Sequence, residues 1–252
     1  MKKTIRAGID PACRLIAALL ATLLLAAPFP ARAGLAAGLA AYDRADYAAA
    51  LRELAPLAEK GDAAAQYRLG RMASLGQGVP RDPRGAAEWF HKAAAQGLAE
   101  AQAALGYLCL IGEGVSQNND LALAWTRKAA EQGDAQAQFN LAVMHGERYG
   151  IKKNPAESLR WMRKAARQGL PAALNGLGQL YRDGQGIARD PVLAFAMFDL
   201  AGKGGQADAL KGRDAVAARM SPAQLREAGS LADGWKKGTP LPTRSKSGVS
   251  GL

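Results

Sequence analysis

Aromatic residues make up 6% of the 252-residue chain although 49% of it is hydrophobic, so its apolar content is mainly alanine and leucine. Both favour helices, while the β-branched and aromatic residues that strands favour are scarce. Composition therefore excludes an all-β sandwich, a collagen-like chain and a wholly disordered one. Cysteine is almost absent: Cys13 and Cys109 are the two, too few for a disulfide framework. Histidine is equally rare, and neither His91 nor His145 stands at ligand spacing from another His or Cys, which argues against a metal site. Long apolar runs are lacking as well. The run Leu15–Ala27, broken only by Thr22, has 13 residues, short of the roughly 20 that a membrane-spanning helix needs.

That short run has a recognisable context. Lys2, Lys3, Arg6 and Arg14 precede it, and Pro28, Pro30 and Ala31-Arg32-Ala33 follow. Basic, apolar, then small is the layout of a secretory signal peptide over residues 1–33, with cleavage expected after Ala33. The expected location is periplasmic or secreted, with no transmembrane helix in the mature chain. Cys13 precedes the apolar run, where a lipoprotein cysteine would follow it, and cleavage leaves Cys109 alone in the apolar stretch Leu105–Ile111, a small buried hydrophobe. The formal charge is +11; residues 1–33 hold five of the 33 bases and one of the 22 acids, which leaves +7 on the remainder. Such an excess favours solubility and weak contact with anionic envelope polymers. No basic stripe with interleaved aromatics points to nucleic acid.

The positive content of the sequence is a repeat. Trp89, Trp125 and Trp161 fall 36 residues apart, with Met197-Phe198 in the next place. Leu69, Leu105, Leu141 and Leu177 keep the same step, each before a small residue (Gly70, Gly106, Ala142, Gly178). Ala65, Ala101, Ala137, Ala173 and Ala209 keep it, as do Gly61, Gly97, Gly133, Gly169 and Gly205. Each unit reads as two helices. The first, 63–75 in the opening repeat, carries apolar residues at helical spacing, and its Leu-Gly pair sets a knob beside a gap where a neighbouring backbone is expected to approach. Gly76-Gln77-Gly78-Val79 is the turn. Asp82-Pro83, Asn154-Pro155 and Asp190-Pro191 each place an N-cap before proline at the first helical position, with Asn118-Asn119 as the proline-less version. The tryptophans, on one apolar stripe with Ala86, Phe90 and Ala93, are expected in the core and against the adjacent repeat.

The organisation follows: a capping helix pair over 34–62, four repeats over 63–208, capping helices over 209–235 and a disordered basic tail over 236–252. No unit of this kind buries its own apolar face, so stacking supplies the core.

The pattern Ala-Gln-x-x-Leu-Gly, Gly-x-Gly-Val, Asp-Pro-x-x-Ala-x-x-Trp and Lys-Ala-Ala-x-Gln-Gly resembles the Sel1-like repeat, nearly whole over 65–97 and with small changes over 101–133 and 173–205. The third repeat departs at its turn, where Arg148 and Tyr149 precede Gly150. The resemblance implies an all-α fold, a right-handed α/α superhelical solenoid of 36-residue helix-pair repeats related to tetratricopeptide arrays, and an adaptor or scaffold role. One cysteine-rich secreted branch of the family is assigned penicillin binding and weak β-lactam hydrolysis; the paired cysteines of that branch are absent here.

Chemistry-bearing motifs are missing. There is no Gly-x-Ser-x-Gly, no Ser-x-x-Lys and no phosphate-binding P-loop, and Gly76-Gln-Gly78, Gly112-Glu-Gly114 and Gly184-Gln-Gly186 recur as repeat turns. Glu88, Glu131, Glu157 and Asp199 are scattered over helix surfaces. The expected function is therefore not enzymatic and needs no cofactor: binding of a protein or peptide in the concave groove that the resemblance assigns to the first helices. Helical rotation places Tyr67, Arg71, Ser74, Ala103, Tyr107, Leu110, Phe139, Val143, Asn175, Gln179 and Arg182 there. The alternatives are a structural protein associated with envelope polysaccharide or peptidoglycan, and a weak β-lactam or cell-wall hydrolase.

Overall fold

The computed structural model describes residues 30–146 and 152–244, with side chains from residue 34 onward. The expected signal peptide lies outside the described residues except for 30–33, which open the first helix, and so does the turn of the third repeat. The described residues form twelve helices and no strand: α1 (Pro30–Asp43), α2 (Tyr47–Glu59), α3 (Ala63–Leu75), α4 (Pro83–Ala95), α5 (Ala99–Ile111), α6 (Asn119–Glu131), α7 (Ala135–Gly146), α8 (Pro155–Arg167), α9 (Pro171–Asp183), α10 (Pro191–Lys203), α11 (Ala207–Ala217) and α12 (Pro222–Gly234). None is long and apolar enough to cross a membrane.

From α1 to α11 each helix packs on the next in sequence, which makes an α/α solenoid of 36-residue pairs. The starts of the second helices are set locally. Asp82 Oδ1 accepts from the Gly85 amide at 3.0 Å, Asn118 Oδ1 from Leu121 at 2.9 Å and Asn154 Oδ1 from Glu157 at 3.1 Å. The amide of each cap residue donates to a carbonyl near the end of the preceding first helix: Asp82 to Ala73, Asn118 to Cys109, Asn154 to His145 and Asp190 to Tyr181, at 2.8 to 2.9 Å. One residue thus starts a helix and ties the turn to the helix before it. Gly114, at φ +71°, lets the second repeat's turn sit on the start of α4: a β-carbon there would fall 2.1 Å from the Pro83 carbonyl oxygen.

The core falls into three clusters along the stack, and its Leu positions are buried throughout (Leu69, Leu105, Leu141, Leu177). The gap beside each Leu is filled differently from expectation in two repeats. A β-carbon on Gly70 would fall 2.7 Å from the Phe90 ring, and one on Gly178 2.6 Å from Phe198, so a ring of the repeat's own second helix occupies the space. At Gly106 the neighbour is α6 itself, with the Thr126 amide nitrogen 3.0 Å away, as expected of an approaching backbone.

The tryptophans also differ. Trp161 is buried, but Trp89 and Trp125 are half-buried. Lysines three residues on cover their outer faces, with Nζ 4.2 Å from the Trp89 centroid (Lys92), 4.3 Å from Trp125 (Lys128) and 4.1 Å from Trp161 (Lys164). The inner faces do meet the preceding repeat: Trp89 packs on the cluster around Leu54 and Leu69, and Trp125 on that around Phe90 and Leu105.

A hydrogen-bonded ladder of glutamines links successive repeats. Buried Gln66, Gln102 and Gln138 donate through Nε2 to the Ala58, Ala94 and Ala130 carbonyls at 3.0 to 3.2 Å. Their Oε1 atoms accept from Gln96, Gln132 and Gln168 at 2.8 to 2.9 Å. In the fourth repeat Leu174 replaces the first partner and Gly204 the second, so both amides vanish together.

The C-terminal end departs from the repeat path. α10 is buried nearly all round, through Val192, Leu193, Ala196, Met197, Phe198 and Leu200, because α12 lies along it as well as α9 and α11. Asp199 on α10 bonds Lys203 at 2.8 Å and Arg213 of α11 at 3.1 Å, and Lys203 reaches Asp233 of α12 at 2.7 Å. Burial pushes the Asp199 carboxyl up, but these cations more than offset it and hold its pKa below the ordinary value. Of the tail expected to be disordered, residues 236–244 are described: the Gly238 amide donates to the Arg167 carbonyl at 2.7 Å, Leu241 packs on the core, and Arg244 pairs with Glu227 at 2.7 Å and Asp190 at 3.4 Å. Residues 245–252 lie outside the described residues.

Candidate functional site

The first helices present one face with two hollows. The first, of about 380 Å³, spans α3, α5 and α7 and is lined by Tyr67, Arg71, Ser74, Leu75, Ala103 and Tyr107, with Glu100, Glu113, Gln136 and Asn140 at its rim. Tyr67 is half-buried because its ring leans on Phe90, centroids 5.7 Å apart, whereas Tyr107 is 51% exposed. Glu113 is paired with Arg81, and Gln136 donates to Asn140 at 2.9 Å, so much of this rim is already partnered.

The second hollow, of about 570 Å³, lies between the third and fourth repeats and holds Phe139, Val143, Asn175 and Gln179. Met162 and Leu180 extend its apolar floor, and Gln185, Gln206 and Lys153 stand at its edge. Two residues assigned to the groove lie elsewhere. Leu110 lines neither hollow and packs on the cluster around Phe90 and Leu105, and Arg182 pairs with Asp183 at 2.7 Å beside a separate hollow with Arg189 and Arg219. Helical rotation placed the others but missed Gln185 and Gln206, which come from loops, and Met162, which reaches the hollow from a second helix.

Three buried side-chain atoms lack a partner among the described residues: Asn119 Oδ1, Trp235 Nε1 and Nδ1 of His145 on α7, a residue 8% exposed. Burial and nearby Arg127 and Arg160, opposed by Glu157, hold its pKa below 6.5. The folded state thus favours neutral imidazole, while the unfolded chain takes a proton at about 6.5. Stability is expected to fall as pH drops below about 6.5, because the unfolded state then binds more protons. Urea melts at pH 7.5, 6.0 and 5.0 should show that slope, reduced in His145→Gln; equal slopes would place its origin elsewhere. Burial also pushes the Cys109 thiol up, as for an inert core cysteine. Among the described residues no three His, Cys, Asp or Glu side chains converge as a metal site would require.

Stacked helix pairs with an amide- and aromatic-lined first-helix face define a helical repeat protein of the solenoid class. The chain belongs to the Sel1 repeat family, whose model matches four consecutive stretches, 63–98, 99–134, 135–170 and 171–206. It is similar to the crystal structure of a Sel1 repeat protein from Oxalobacter formigenes, at 31% identity over 83% of this chain and 77% of that one, with a TM-score of 0.64. It is also similar to c5321, a protective antigen present in uropathogenic Escherichia coli strains displaying an SLR fold, at 30% identity over 82% of this chain and 54% of that one, with a TM-score of 0.50. Comparison with curated proteins finds no match. Proteins of this family are typically protein-interaction scaffolds, generally without enzymatic activity.

Proposed function

We propose that the protein is an exported, non-enzymatic scaffold that binds a protein or peptide partner along the first-helix face, the concave side of the solenoid. The observation that carries this reading is the convergence of Tyr67, Arg71, Ser74 and Tyr107 in one hollow and of Phe139, Val143, Asn175 and Gln179 in the next. Tyr, Phe and Arg are residue types enriched at interface hot spots, and shallow contacts spread over several repeats suit an extended partner. Export rests on the basic, apolar, small-residue layout of residues 1–33.

Replacing Tyr67, Tyr107 and Phe139 together with alanine is expected to abolish capture of partners from envelope extract while leaving helicity intact. Tyr107→Ala alone, at an exposed position, should weaken capture without changing the melt. Unchanged capture by both variants would refute the groove assignment.

A second reading, contact with anionic envelope polymers, is favoured by the outer faces of α6 and α8. There Arg127, Lys128, Arg163, Lys164 and Arg167 are exposed, and none is in an ion pair among the described residues. Capture that survives the triple variant but disappears at 0.5–1 M salt, where the Debye length falls to a few Å, would move binding to this face.

A further inference from the structure

Of the 18 side-chain amides, 13 make internal hydrogen bonds among the described residues. Gln66, Gln96, Gln102, Gln132, Gln138 and Gln168 form the ladder, Gln77 accepts from the Tyr42 hydroxyl at 3.1 Å, Gln117 bonds the Leu110 carbonyl at 2.9 Å, and Asn118 and Asn154 cap helices. In the first hollow Gln136 donates to the Asn140 side-chain oxygen, a single bond between neighbours on one helix. The other five are Asn119, whose Oδ1 is buried without a partner beside the Asn118 cap, and Asn175, Gln179, Gln185 and Gln206, which differ from it in lying together. None of the four has a side-chain hydrogen bond among the described residues, and all four line the second hollow. They come from three places in the sequence, α9, the loop after it and the loop after α10, so local sequence does not explain their meeting.

Their setting narrows what they would bind. The floor is Phe139, Val143, Met162 and Leu180, and Lys153 is the one charged residue in the lining among the described residues. Each primary amide offers donors and an acceptor together, the complement of a main-chain peptide group. A volume of about 570 Å³ holds a few residues of ligand. An extended peptide advances about 3.3 Å per residue and turns successive side chains to opposite sides, so one apolar side chain can enter the floor while flanking peptide groups meet the amides. A sugar would ask for carboxylates and an exposed flat ring; among the described residues no carboxylate lines the hollow and its ring, Phe139, is half-buried.

We infer that the hollow between the third and fourth repeats is a main-chain-reading site for an extended, uncharged peptide segment that anchors one apolar side chain against Phe139, Val143, Met162 and Leu180. This rests on the scaffold reading above and assigns the chemistry of its ligand.

The test uses the full chain and an array of N-acetylated, C-amidated heptapeptides with each apolar residue at the centre and Gly, Ser or Thr on either side. Binding to a subset is expected. N-methylation of alternate amides in the bound peptides should weaken them at least tenfold, and so should Asn175→Ala/Gln179→Ala in the protein, with an unchanged melt. Glu131→Gln, at an exposed α6 position outside both hollows, should leave array binding as it is. No bound member, equal binding of N-methylated peptides, indifference to the double variant, or chitotetraose bound through the same residues would each overturn the inference. If the array fails while the parent still captures a partner that Tyr107→Ala loses, this inference falls and the scaffold reading stands; if capture fails too, both fall.

Discussion

Phe198→Ala is expected to cost about 3–5 kcal/mol, enough to unfold the C-terminal part of the array at moderate temperature. Phe198 is 1% exposed, and its ring fills the space left by two glycines: β-carbons at Gly178 and Gly212 would lie 2.6 and 2.9 Å from it. It therefore joins α9, α10 and α11, and truncation leaves a cavity whose walls are helix backbone and cannot collapse. Trp125→Ala makes the contrast. Although tryptophan is the larger residue, Trp125 is half-buried and covered by Lys128, and its loss is expected to cost about 2 kcal/mol. Urea unfolding followed by circular dichroism checks both. A larger loss for Trp125 would mean that size and not enclosure governs the stack. Because repeats unfold as coupled units, the Phe198 variant should also broaden the transition.

Gln102→Leu is expected to cost about 1–3 kcal/mol, since it removes a buried bond to Ala94 and takes the acceptor from Gln132. The fourth repeat supplies the natural control, with Leu174 and Gly204 in the two places. Gln132→Gly alone should cost about 1 kcal/mol, and the double variant Gln102→Leu/Gln132→Gly less than the sum of the singles. A coupling of about 0.5–2 kcal/mol in this cycle would establish the pair as one unit. Additive losses would show that the two glutamines act separately and that the ladder does not hold register.

Local signals explain why so much of the fold was legible. The first helix expected at 63–75 is observed as Ala63–Leu75, and the Asp-Pro and Asn-Pro starts are N-caps in the structure. A cap reaches three residues ahead and a turn glycine acts on its own φ, so neither needs the rest of the molecule. The site was legible in part for the same reason: rotation along one helix placed Tyr67, Arg71 and Ser74 together, yet it misplaced Leu110 and Arg182 near helix ends, where the neighbouring helix decides what is covered. The glutamine ladder was visible as recurring letters, Gln66 and Gln96 with their repeats, but nothing local says that residues 30 apart bond each other.

The sequence by itself determined the 36-residue beat, the helix pairs, their capped starts and the need to stack, because each is written in short-range geometry or in an apolar face too large for one pair to bury. The stacking angle between pairs is a tertiary quantity. It decided that Trp89 and Trp125 keep one face under a lysine, that α12 and the tail close over α10, and that four amides from separate segments meet over one apolar floor, because relative helix placement comes from how whole side-chain surfaces fit and no single segment carries it.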